Sequence, residues 1–260
     1  MHTKFGLSIC LGIIAGSMGL ATSAQAFSFT TNFTEHLTEN KAVKGNIWLN
    51  SVEFGGTTVS NFGLVNRVNI LHNDRWTGGN TGAASADRGD LASGLVQELL
   101  TNPGAVTALG NTNLNNIIDG EDNGSFSMNV WFNQRVDNLF FWERGLNSKM
   151  NIQGIDKFGN SMGNLLTINS GNWNDAGFAI DTKEIGAAQR VGSLGVSLAD
   201  LGLSSAIAGV RVSAQGALFN GPDWKVVGSA SVPEPGTVFG LGAIASGLLV
   251  SSRRKKAQKA

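Results

Sequence analysis

The chain has 260 residues, equal numbers of basic and acidic side chains, 42% hydrophobic residues and only 15% charged ones. So much apolar surface with so little charge excludes a disordered chain. The 35 glycines follow no Gly-X-Y period, which excludes a collagen-like one, and a formal net charge of zero argues against a general nucleic-acid binder.

Residues 1–26 read as a secretory signal peptide: Lys4 gives a positive start, Leu7 to Leu20 is apolar, and Ala24-Gln25-Ala26 is an A-x-A cleavage site. The mature chain is expected to begin near Phe27. The single cysteine, Cys10, lies inside this segment, so the exported chain would have no disulfide, thiolate nucleophile or cysteine-held metal. Thirteen basic and eighteen acidic residues lie between 27 and 232, which leaves the central region at −5.

Residues 27–231 carry a period-two pattern. Phe126, Met128, Val130 and Phe132 alternate with polar residues, as do Ile47 and Leu49, and less cleanly Val65 and Val68. Leu139–Trp142, Met150–Ile155, Phe178–Ile180, Val210–Val212 and Trp224–Val227 are further short strands. Gly78-Gly79-Asn80, Asp122-Asn123-Gly124, Gly159-Asn160, Gly171-Asn172 and Asn220-Gly221 supply turns between them. The expectation is one mainly β domain, an antiparallel sandwich or jelly roll with one or two short helices. Asp90 is placed to cap a helix carrying Leu91, Leu95, Val96, Leu99 and Leu100, ended by Asn102-Pro103, with a second short turn over 104–109.

The chemistry-bearing residues are sparse. Asp119, Glu121, Asp122 and Asn123 form the densest acidic cluster, and Asp119, Glu121, Asn123 and Gly124 match the first half of a calcium loop, but the position that needs a bidentate Glu holds Val130, so an EF-hand is excluded. A looser surface calcium site from Asp119, Glu121, Asp122 and Asp137 stays open beside the plainer reading of a polar turn. Gly159-Asn160-Ser161-Met162-Gly163 matches G-x-S-x-G, yet no His follows Ser161, and a hairpin turn explains it better. His36 and His72 are isolated from other ligands, which argues against zinc. Glu143, Asp137 and Asp156 lie in strand regions, where acids usually face outward, and no motif selects them as glycosidase carboxylates. Arg88-Gly89-Asp90 is a chance tripeptide whose Asp is better used as a helix cap. Trp76, Trp173 and Trp224 sit beside Asn, Asp or Arg in turn or strand-edge contexts and are candidates to stack on sugar rings, whereas Trp131 and Trp142 lie in apolar strands and read as core.

At the C-terminus, Val232-Pro233-Glu234-Pro235-Gly236 breaks regular structure. An apolar stretch of about 16 residues over 237–252 follows, roughly 24 Å as a helix and short for a bilayer core of ~30 Å. Arg253, Arg254, Lys255 and Lys256 then open a basic tail over 253–260 that would stay on the cytoplasmic side. Residues 232–260 resemble the PEP-CTERM sorting signal of bacterial exported proteins: the Pro233-Glu234-Pro235 motif, a transmembrane helix, and the Arg/Lys tail. The resemblance implies recognition by an integral-membrane exosortase, removal of the helix, and delivery to the surface or extracellular matrix of a Gram-negative-type bacterium.

Four stretches of the central region resemble other exosortase-dependent surface proteins: 118–126, 136–145, 175–181 and 219–224. No activity attaches to that likeness. The expectation is a non-enzymatic surface or matrix protein, handled by signal peptidase, the secretion machinery and the exosortase, with no nucleic-acid partner and no cofactor beyond the open calcium question. The alternative is a carbohydrate-binding or adhesion module for extracellular polysaccharide, with or without calcium.

Overall fold

The computed structural model describes residues 26–36, 46–75, 84–88, 99–180 and 187–230. The signal segment up to Gln25, Gly78-Gly79-Asn80, Trp76, the Asp90 cap with most of its helix, and the whole of 232–260 lie outside the described residues. Among the described residues no helix is long and apolar enough to cross a membrane.

The fold is mainly β. In chain order the strands are β1 (Thr30–His36), β2 (Asn46–Phe54), β3 (Thr57–Val59), β4 (Val65–Asn73) and β5 (Ala84–Arg88). Then come β6 (Asn116–Gly120), β7 (Ser125–Val136), β8 (Asn138–Arg144), β9 (Met150–Ile155) and β10 (Ser161–Ile168). The last four are β11 (Asn174–Ile180), β12 (Gln189–Ser197), β13 (Ile207–Gln215) and β14 (Trp224–Ser229). They form three sheets, ordered β1-β2-β3, β10-β9-β13-β7-β4 and β11-β12-β8-β14-β6-β5. Their strand pairings are antiparallel.

The six-stranded sheet carries an apolar cluster on each face. Along β8, Leu139 and Phe141 enter one cluster, while Phe140 and Trp142 enter the other. This is why Leu139–Trp142 reads as a continuous apolar run and not as an alternating one: neither face meets water. The first cluster is shared with the five-stranded sheet, through Phe126, Met128, Val130 and Phe132 of β7 and Val210 and Val212 of β13. The second is shared with the three-stranded sheet, through Ile47, Leu49 and Val52 of β2. Rings dominate it. Phe29 meets Phe140 and Trp142 edge-on at 5.1 and 5.3 Å, and Phe27 stacks on Phe54 at 5.0 Å. Edge-to-face pairs of this kind add about 1 kcal/mol each beyond their buried area.

Gly209 shows how closely β13 and β7 approach. A Cβ there would lie 2.1 Å from the Val130 carbonyl oxygen, so the pair could not close with any larger residue.

One helix, α1 (Asn102–Leu109), packs between these sheets, with Ala105, Ala108 and Leu109 in the first cluster. Asn102-Pro103, expected to end a helix, begins one. Thr101 accepts a bond from the Gly104 amide, and Pro103 sits in the first turn, where its missing N–H costs nothing. Leu99 and Leu100, expected at the end of the preceding helix, are not helical.

Candidate functional site

The turn Asn220-Gly221 bends the chain back onto the end of β6. Both residues have positive φ, 54° and 34°. A Cβ on Gly221 would fall 1.8 Å from the Gly120 oxygen, so only glycine allows this approach. The consequence is that Asp223 arrives beside β6 and the end of β8.

There Arg144 is 3% exposed. Its Nε and Nη2 donate to one Asp223 carboxylate oxygen at 2.9 and 2.6 Å, and Nη2 also reaches Asp119 at 3.4 Å. The other Asp223 oxygen accepts the Gly120 amide at 3.0 Å, and the Asp223 carbonyl accepts the Arg144 amide at 2.9 Å. Burial raises the pKa of Asp223 while Arg144 opposes that rise. Glu121 is buried in the following turn. Three of the four stretches that carry the family resemblance, 118–126, 136–145 and 219–224, therefore meet in one buried charge cluster.

Glu143 belongs to the same end of β8 and is fully buried, opposite Trp224 in register. Among the described residues neither of its carboxylate oxygens has a hydrogen-bond partner, and neither does the Trp224 Nε1. The Leu146 and Asn147 amides and the Ser148 hydroxyl lie near enough to stabilise a charge without reaching bonding geometry. Ser148 Oγ is committed to the Asn220 carbonyl at 2.6 Å. Burial dominates and pushes the Glu143 carboxyl up to about 7.

This fixes a sign. A raised folded-state pKa gives stability that is complete below the ordinary value of 4.5 and lost as pH rises through about 7. Over that window the loss is about 3 kcal/mol. Glu143→Gln is expected to flatten this fall, read as the difference in unfolding free energy between pH 5 and pH 7.5. An unchanged pH dependence in the variant would refute the assignment.

Lys225 is a further buried ionisable group. It is fully buried in β14, and its Nζ donates to the Ala108 carbonyl at 2.8 Å, the Asn116 carbonyl at 3.1 Å and Asn111 Oδ1 at 3.2 Å. The first of these is a last-turn carbonyl of α1, so Lys225 ties the helix end to β6. Burial lowers its pKa to about 7.

Several sequence expectations are corrected by this geometry. Trp173 and Trp224, expected as sugar-stacking surfaces, are 8% and 0% exposed and lie in the first cluster, so their faces are already covered by core side chains. Trp173 Nε1 donates to the Ser148 carbonyl at 2.9 Å. Trp131 is buried, as expected of a core residue, but outside both clusters: it lies on the outer face of the five-stranded sheet beneath the Arg67 guanidinium, 3.7 Å above its ring. Glu143 faces inward, and Asp156 lies in the β9–β10 turn, where it accepts the Phe158 and Asn160 amides. Asp137 is separated from Asp119 by the length of β8, since Asn138 pairs with Ser229 while Glu143 pairs with Trp224 next to Ile118. The calcium set Asp119, Glu121, Asp122 and Asp137 is therefore not assembled. Among the described residues no three His, Cys, Asp or Glu are placed to hold a metal ion.

Ser161 opens β10 after the 156–160 turn, with its Oγ accepting from Arg211 at 3.1 Å, as a hairpin and not a nucleophile elbow. His72 sits exposed in β4, 2.9 Å from Asp74, and His36 ends β1. Arg144, Asp223 and Lys225 escaped the sequence reading. The available signal was charge inside apolar runs, at Trp142-Glu143-Arg144 and Trp224-Lys225-Val226.

The arrangement is a buried ionic lock, in which Glu143 and Arg144 have almost no exposed surface. Fold and site together define a mainly antiparallel β protein pinned by internal charge. No protein-family model, curated protein or solved structure matches the chain.

Proposed function

We propose that residues 27–231 form a β-sandwich domain without catalytic function, delivered to the bacterial surface or extracellular matrix by export and exosortase processing of residues 232–260. The observation that carries this reading is how Phe27 is built into the fold. Phe27, the first residue after the A-x-A site, exchanges two backbone hydrogen bonds with Gly195 of β12, at 2.9 and 2.8 Å. At the other end β14 closes at Ser229, just short of Pro233. The A-x-A site and the Pro233-Glu234-Pro235 motif both lie outside the strands of the described residues, so cleavage at either point leaves those strands intact. The absence of cysteine from the exported part suits a domain held by two aromatic-rich clusters and buried ion pairs.

The test is the intact mass of the protein recovered from the outer-surface fraction of its host. The expected mass lacks residues 1–26 and everything after about Pro235. A mass that retains Arg253 to Ala260, found only in the inner membrane, would refute processing and the surface role.

A further inference from the structure

The outer face of the five-stranded sheet is unlike the rest of the molecule. Because Phe126, Met128 and Val130 point into the core, Ser127, Asn129 and Trp131 point away from it. The register extends this face across the sheet. Asn69, Asn129, Arg211 and Gln153 stand directly opposite one another on β4, β7, β13 and β9. The next row is His72, Ser127, Ser213, Asn151 and Thr167, reaching all five strands. Strands lie about 4.8 Å apart, which sets the spacing of the groups along each row, though Asn129 and Asn151 are buried and accept from Arg211 and Thr167. Asn69, His72 and Thr167 are exposed, and the Ser127 and Ser213 hydroxyls have no side-chain partner among the described residues.

Charge and shape say what such a face would take. Among the described residues Arg67, Arg211 and, at the end of β7, Arg135 bond only to neutral oxygens: the Lys157 carbonyl; the Asn129, Ser161 and Gly159 oxygens; and the Ala206 carbonyl. Asp74 and Asp156, the acids beside this face, keep their charge, so with Lys157 four cations stand against two carboxylates. Asp156 accepts turn amides, and Asp74 accepts the Ser125 amide and His72. The result is a cationic strip on a domain of net charge −5. At its rim the β9–β10 turn presents Phe158, 77% exposed, with Lys157 Nζ 4.8 Å over one side of the ring.

We infer that this face binds an anionic polysaccharide, with a sugar ring against Phe158, hydroxyls on the Asn69 and Ser127 rows, and carboxylates on Arg67 and Arg211. A protein partner is disfavoured because the large exposed apolar side chains of this sheet, Leu71 on β4 and Leu165 on β10, lie on its two opposite edge strands and form no continuous patch. Nucleic acid is disfavoured by charge density. A duplex carries one charge per about 1.7 Å, which a −5 domain repels, whereas a uronic-acid polymer carries one per sugar at most. This inference does not rest on the sorting reading, since binding can hold or fail whichever compartment the protein reaches.

The experiment is affinity electrophoresis of the purified full chain in gels containing polygalacturonate, dextran or single-stranded DNA. Retardation is expected with polygalacturonate, weakening as salt is raised, and at least tenfold weaker with dextran and DNA. Phe158→Ala and Asn69→Ala, both at exposed positions, are each expected to weaken it at least tenfold without moving the thermal midpoint. Thr34→Ala on the three-stranded sheet is expected to leave it unchanged. No retardation by polygalacturonate, equal retardation by DNA, or full retention in both folded variants would overturn the inference.

Discussion

Arg144→Met is expected to lower the unfolding free energy by about 4 kcal/mol, the usual cost of breaking a buried ion pair from one side. The guanidinium is 3% exposed and is the cation that faces both Asp223 and Asp119, at 2.6 and 3.4 Å. Its removal leaves two carboxylates in a region closed to water, where burial already raises the pKa of Asp223. Urea unfolding followed by tryptophan fluorescence measures the loss. The double variant Arg144→Met with Asp223→Leu separates the cost of an orphaned charge from lost packing. It is expected to be at least about 1 kcal/mol more stable than the sum of the single changes. A single-variant loss under about 1 kcal/mol, or strict additivity, would mean that the pair is not the lock described.

Lys225→Met carries the other large effect, and it depends on pH. The lysine is lowered from 10.5 to about 7 by burial. A depressed folded-state pKa gives stability that is complete above 10.5 and lost as pH falls through about 7. The native chain should therefore gain stability between pH 7 and pH 10. The methionine variant has no such gain. It also leaves the Ala108 and Asn116 carbonyls and Asn111 Oδ1 without this donor, at about 3 kcal/mol together. The gap between the two proteins is expected to be about 3 kcal/mol at pH 7 and to widen toward pH 10. Guanidinium melts at three pH values measure it. A constant gap would show that Lys225 does not change its protonation in this window.

The contrast between these residues and the strands around them shows where sequence reasoning reached its limit. Met150–Ile155 is legible to the residue, and the alternation of Phe126 to Phe132 predicts which side of β7 is buried. β10 is not legible. Its residues are mostly exposed or half-buried and its pairing is interrupted at Met162 to Leu166, with Gly163 at positive φ, so no period of two survives. The short helix at Asn102 was only half read. Pro103 signals both an end and a beginning, and the cap at Thr101 decides between them.

The same holds for the candidate sites. Trp224 and Trp173 have polar neighbours in sequence, but burial depends on what the opposite sheet brings, and that information is not local. Trp131 and Phe158 show the same limit, because nothing in their sequence neighbours tells what covers the one and exposes the other. An arginine from β4 covers the first, and a turn lifts the second into solvent.

By itself the sequence determined the elements whose signals are short in range: period-two strands, glycine and asparagine turns, and the ordered terminal segments from which export and sorting are proposed. Only the tertiary structure decided that three sheets enclose two clusters, that Asp119, Arg144 and Asp223 meet, that Lys225 is buried, and that one sheet keeps a polar, cationic face. The physical reason is range. Periodicity and turn propensity act over a few residues, whereas ion pairing, desolvation and strand register join residues that lie from 25 to over 100 positions apart in the chain.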